Sequence, residues 1–260
     1  MSIPDNTEPI LEGILLIDKP EGPTSMRAVE RVRRAAGGVR CGHAGTLDPL
    51  ATGLLVIALG RFTRTLAELM GGDKKYETVI DLSAFTATDD REGAMINVPV
   101  DRPPTESEIQ NALTAFRGSI MQTPPAFSAV KIAGRRSYDI ARRAMKQSSA
   151  TSTSDGASES PSESPSESPP ASPAGPVSRP AQVHALELRD FAWPLVTLDI
   201  HCAKGFYVRS LARDLGRALS TGGHCLSIRR TWSAPFSIDN AIPLDSLPNR
   251  LGLSDLTRVP

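Results

Sequence analysis

Hydrophobic residues first gather in a continuous run, Gly13 to Ile17 (GILLI), cut off by Asp18-Lys19-Pro20. This predicts a buried strand that leaves the core through a turn. A helix should follow, with Thr24 or Ser25 as its cap, Met26, Val29 and Val32 at helical spacing, and Gly37-Gly38 as its stop. Cys41 to Gly53, rich in Gly, Thr, Asp and Pro, reads as a loop held between packed elements, and Leu54 to Leu59 is again continuously apolar. Arg64 to Met70 predicts a short helix before Gly71-Gly72. Tyr76 to Leu82 alternates in a strand-like way. Thr105 to Glu108 fits a capping box ahead of a helix running to about Phe116, with Ile109, Leu113 and Phe116 on one face. Further helices are expected over Tyr138 to Lys146 and from about Arg209 to Leu219, and strands over Val183 to Phe191 and Leu195 to Cys202. Strands interspersed with helices argue for an α+β or mixed-sheet domain.

Ser148 to Pro176 breaks every pattern, with SESP repeated three times from Ser158 to Pro169. Ser, Glu and Pro bury too little apolar area to offset the entropy of ordering a backbone, so this stretch is expected to be a disordered insertion within one domain. Charge is balanced over the chain, 29 Lys+Arg against 29 Asp+Glu. Residues 148 to 180 carry four acids against Arg179, so the remainder is net basic by three. Any nucleic-acid contact must come from local clusters such as Arg31, Arg33, Arg34 and Arg40, or Arg135, Arg136, Arg142, Arg143 and Lys146. Three cysteines without a C-x-x-C pair suggest neither a disulfide framework nor a zinc site. No apolar run reaches membrane-spanning length and the N-terminus lacks a signal pattern, so a cytoplasmic location is expected.

Chemistry concentrates in Gly42-His43-Ala44-Gly45-Thr46-Leu47-Asp48-Pro49-Leu50-Ala51-Thr52-Gly53. One carboxylate sits between apolar Leu47 and the fixed backbone of Pro49, among small residues that let a ligand come close. An isolated Asp-Pro is usually only a turn. No phosphate loop, serine triad or metal-ligand motif accompanies it, which disfavours an ordinary nucleotide-binding or hydrolytic domain.

The whole segment resembles the catalytic loop of TruB-type pseudouridine synthases, in which the pattern G-H-x-G-x-L-D-P-x-A-x-G surrounds the essential aspartate. The preceding GILLIDKPEGPTSMRAVERVRR is similar to that family's opening strand, turn and helix. Lys74-Lys75-Tyr76-Glu77 resembles its active-site tyrosine segment, and the stretch from Gln122-Thr123-Pro124-Pro125 to Lys131 its second motif. Lys204-Gly205-Phe206-Tyr207-Val208-Arg209 is similar to its K-G-x-Y-x-R motif, and Ile228-Arg229-Arg230 to an aliphatic residue followed by two basic ones.

The resemblance implies an α+β fold with a mixed, largely antiparallel sheet flanked by helices. It implies a catalytic domain over residues 1–236, interrupted by the insertion at 148–176. A short tail over 237–260 is expected in place of the small RNA-binding domain with which relatives commonly continue. The activity implied is isomerisation of uridine 55 in the T loop of tRNA, by a monomer, with no cofactor, metal or membrane. A tRNA-binding or folding-assistance protein that does not need catalysis is the alternative. Asp48 would be the attacking or proton-handling carboxylate and Arg209 the guanidinium that keeps it charged and oriented. Tyr76 would stack on the flipped uracil, His43 would fill space where the base leaves the loop, Tyr207 and Ile228 would line the uracil pocket, and Lys19 with Pro20 would shape the wall.

Overall fold

The computed structural model describes residues 11–126, 131–132, 135–136 and 177–257. The expected helix at 138–146 and the SESP-bearing insertion lie outside the described residues. Strands β1 (Gly13–Lys19), β2 (Cys41–His43), β3 (Thr52–Leu59), β4 (Lys74–Asp81), β5 (Ala84–Thr86), β6 (Met95–Asn97), β7 (Gly118–Gln122), β8 (Lys131–Ile132), β9 (Arg135–Arg136), β10 (Arg179–Ala192), β11 (Leu195–Cys202), β12 (His224–Ser233), β13 (Phe236–Ser237) and β14 (Ile242–Pro243) carry most of the structure. Helices α1 (Ser25–Ala35), α2 (Leu66–Gly71), α3 (Glu106–Thr114) and α4 (Val208–Ala218) pack around them.

The main sheet runs β14-β1-β3-β12-β4-β11-β10-β7, with β2 on β3 and β13 on β12. Its pairings are antiparallel except β1 with β14 and β3 with β12. This is the mixed, largely antiparallel sheet that the resemblance implied. β1 and β3 are buried almost throughout because layers cover both faces, which is why they read as unbroken apolar runs. One layer contains Val29 and Val32 of α1, Ile109 and Leu113 of α3 and Leu211 and Leu215 of α4, packed on alternate strand residues. The other places Phe62, Leu66 and Leu69 against Leu54, Val56 and Phe236. Each such fully buried aliphatic side chain contributes about 1.5–3 kcal/mol relative to exposure. None of the described helices is long and apolar enough to cross a membrane.

Local signals set the element ends. The Thr24 side chain accepts from the Arg27 N–H at 3.2 Å to start α1, and Gly37 and Gly38, at φ 70° and 88°, turn the chain out of it. Thr105 and Glu108 form the reciprocal capping box that their spacing predicts. The Cys41–Gly53 segment is not all loop. Its first three residues pair with Leu59, Ala58 and Ile57 as β2, and Thr52 and Gly53 already belong to β3. Residues 242–257 pack along β1 and α1, with Leu244, Leu247 and Leu251 buried and the Thr257 N–H donating to the Ile14 carbonyl at 2.7 Å.

Candidate active site

The loop between β2 and β3 is fixed from three sides. Ser25, at the start of α1, both donates to the Leu47 carbonyl and accepts from the Leu47 N–H, at 2.9 and 2.8 Å. Lys19 is fully buried, and its ammonium donates to the carbonyls of Pro20, Pro23 and Pro49 at 2.9, 3.0 and 3.3 Å. Burial pulls its pKa down to about 8, against the field of Asp48. From β12, Arg230 donates to Leu54 O at 2.8 Å and Gly45 O at 3.2 Å. Gly53, at φ 97°, allows that approach, since a Cβ there would stand 2.3 Å from the Arg230 carbonyl oxygen.

With its backbone so held, Asp48 faces a cleft of about 330 Å³ whose lining includes Tyr76, Tyr207, Arg209, Ile228 and Arg230. Its side chain is 44% exposed, and Oδ2 lies 2.8 Å from Arg209 NH2. One carboxylate oxygen is thus paired while the side chain stays open to the cleft. Arg209 stands in the first turn of α4 and is itself nearly buried, its other terminal nitrogen donating to Asp90 Oδ2 at 3.2 Å and the Thr88 carbonyl at 3.1 Å. Asp90 reaches it because the turn between β5 and β6 docks on β12, with Cys225 N–H donating to Asp89 O and Arg91 N–H to Cys225 O, both at 3.0 Å. Thr88 Oγ1 and the Glu92 N–H hold the other Asp90 oxygen.

Tyr76 lies half-buried on β4 near Arg230, and burial raises its phenol above the ordinary range. Tyr207 precedes α4, and Gln122 pins it by accepting from its N–H at 3.0 Å and donating to its carbonyl at 3.2 Å. Its phenol is also raised, chiefly by burial. Ile228 is buried on β12 beside Thr78. The structure therefore brings Asp48, Tyr76, Tyr207, Arg209 and Ile228 to one cleft. Lys19 and His43 are not among its lining residues. Lys19 acts on the loop backbone, while His43 ends β2, where burial and then the nearby Arg230 lower its pKa.

A family model described as TruB family pseudouridylate synthase (N terminal domain) matches residues 33–155. The tRNA pseudouridine synthase B of Cereibacter sphaeroides is 40% identical in an alignment covering 96% of this chain and 79% of that protein. The chain belongs to the TruB family. The protein of the same name from Corynebacterium diphtheriae is 41% identical over 90% of this chain and 72% of its own length. Among solved structures, one chain of a Cbf5-Nop10-Gar1 complex superimposes with a TM-score of 0.64 and 25% identity, over 94% of this chain and 59% of that one. Another, from an H/ACA RNP bound to a substrate RNA containing 2'-deoxyuridine, gives 0.61 and 24%, over 94% and 58%, and shares the fold.

Within this TruB-family site, several residues carry no sequence signal of their own. Asp90 sits in the run Thr86-Ala87-Thr88-Asp89-Asp90, which reads as any polar turn, and Gln122 begins a segment outwardly defined by its prolines. Met70 and Lys74 also line the cleft, brought there by the turn from α2 into β4. Arg230 was visible only as one of two adjacent basic residues. Its burial, with 2% exposure, separates it from Arg229, which pairs with Asp18 at 2.7 Å near the surface.

Proposed function

We propose that this chain converts uridine 55 of the tRNA T loop into pseudouridine, with Asp48 as the group that acts on the ribose. The geometry of Asp48 carries the reading: a single open carboxylate, its backbone fixed by three neighbouring elements, oriented by a buried guanidinium that a second buried acid backs. The reaction breaks the bond from ribose C1' to N1, turns the uracil, joins C1' to C5 and releases the C5 proton. It has no net redox change and consumes no external group, so one carboxylate suffices either to add to C1' as N1 departs or to take the C2' proton, giving a glycal-like intermediate, and return it when C1' joins C5.

To reach Asp48 the uracil must leave its stack, at a cost of a few kcal/mol. Stacking on Tyr76 returns roughly 1–3 kcal/mol, and Tyr207 and Ile228 enclose the detached ring while it turns. The exposed arginines of α1 supply attraction for the phosphate backbone. Tritium release from C5-labelled tRNA tests the assignment. Asp48→Asn should abolish release while leaving tRNA binding largely intact, and normal turnover by that variant would refute the role. Arg209→Lys keeps the charge but loses the planar fork. It should lower the rate far more than it lowers stability. Mapping pseudouridine in the product tRNA tests the position, since label released from a site outside the T loop would overturn uridine 55.

A further inference from the structure

Away from the cleft, three side chains that the isomerisation does not use converge where β4 begins and β11 ends, on interior strands of the sheet. Asp73 immediately precedes β4, His184 lies on β10 and His201 on β11, and their ligand atoms all fall within 4.8 Å of one another. Both imidazoles aim at the same oxygen: Asp73 Oδ2 is 3.2 Å from His184 Nε2 and 3.8 Å from His201 Nε2.

An irregularity in the sheet creates this convergence. β10 pairs Val183 with Cys202 and Ala185 with His201, so His184 is an extra residue with no partner opposite. Such a bulge re-aims the side chain it carries, here bringing His184 beside His201 with ring centroids 4.8 Å apart. At the same level β12 shifts register between Arg230 and Trp232, and the Trp232 ring meets His201 edge-on at 5.9 Å. The neighbouring cation, Lys75, places its ammonium over the Trp232 ring, 5.6 Å from its centroid.

His201 Nε2 is sealed from solvent yet has no hydrogen-bond partner, and at 3.8 Å the Asp73 oxygen is out of hydrogen-bond reach. Leaving a buried polar atom unsatisfied costs about 1–3 kcal/mol. A metal ion between the three groups removes that cost. Tetrahedral bonds of about 2.0–2.2 Å put neighbouring ligand atoms roughly 3.3–3.6 Å apart, between the two distances to Asp73, and binding would draw the two imidazoles together from a separation of up to 4.8 Å. Two imidazoles and one carboxylate suit zinc and its first-row neighbours, whereas magnesium and calcium prefer all-oxygen shells.

We propose that Asp73, His184 and His201 form a binding site for a zinc-class divalent ion, separate from the catalytic cleft. The test is a Co²⁺ titration of chelator-stripped, full-length Trp193→Phe protein, which keeps Trp232 as its one indole of the original two. Visible d–d absorption and quenching of Trp232 should saturate together at one ion per chain. Zn²⁺ should displace the ion and Mg²⁺ should not. Altering even the outer partners of metal ligands costs about 10–100-fold in affinity, so His184→Ala and Asp73→Asn should each weaken binding by more than about tenfold with the far-UV circular dichroism unchanged. Lack of saturation, or equal affinity in the two folded variants, overturns the site.

Discussion

Arg209 bridges two carboxylates of unlike exposure, the half-open Asp48 and the buried Asp90. A guanidinium so deeply placed depends on both. Removing one partner of a buried ion pair costs roughly 3–5 kcal/mol. Asp90→Ala should therefore lower the urea midpoint and slow tritium release together, although Asp90 does not line the cleft. Asp90→Asn, which keeps an oxygen acceptor, should recover part of both. Asp48 and Arg209 could be singled out in the sequence because each sits in a segment that resembles one of the family's motifs. Asp90 could not, since its position depends on a hairpin docking against a strand well over a hundred residues later. Asp73, His184 and His201 were hidden for the same reason: one comes from a turn and two from strands, with no ligand spacing along the chain.

Among the elements, the helices were the easiest to read, because caps and a 3.6-residue period leave marks within a dozen residues. The apolar strands β1 and β3 were equally plain. β12 was not, although it stands between β3 and β4. Its buried positions include His224, Arg230 and Ser233, and two register shifts disrupt its alternation, so HCLSIRRTWS lacks the pattern of a central strand. Two predictions concern how such elements are joined. Gln122 ties the end of β7 to the start of α4 through the Tyr207 backbone, so Gln122→Ala should cost about 1–3 kcal/mol in urea unfolding. Gln122→Glu should not restore it, since a carboxylate has no N–H to offer the Tyr207 carbonyl. At Gly53, an added Cβ meets the β12 backbone and the left-handed φ disfavours any side chain, so Gly53→Ala should separate β3 from β12 and yield insoluble or unfolded protein.

Across the whole molecule, alkaline stability follows from buried groups. Burial raises Cys41 from 9.0 to about 11 and both Cys202 and Cys225 to about 12. Above pH 9 the unfolded chain ionises these thiols while the folded one keeps them protonated, so their contribution is complete below pH 9 and drains as pH climbs towards 11–12. Lys19 has the opposite sign. Its ammonium, lowered from 10.5 to about 8, is lost first from the folded state, which adds stability between pH 8 and 10.5. Burial lowers Lys74 in the same sense as Lys19 and raises Tyr76 and Tyr207 in the same sense as the thiols. The raised acids outnumber the lowered amines, so the urea midpoint under reducing conditions should fall above about pH 9, and more steeply beyond 10.5. Reaction of the folded protein with iodoacetamide at pH 9 should likewise be much slower than that of the unfolded chain. A midpoint that rose steadily to pH 11 would contradict the burial of these thiols.

The order of strands across the sheet also sets a timetable for synthesis. β3 and β4 are separated by β12, and β1 is flanked by β14, so the outer neighbours of the early β1–β3 pair wait for residues 224–243 to emerge from the ribosome. Until then β1 and β3, with β2 on the end of β3, form a small sheet whose remaining edges are open, a template for unwanted pairing between nascent chains. Closure through contacts so distant along the chain is intrinsically slow, so a stalled or shortened translation product should be a client for chaperones instead of a half-active enzyme.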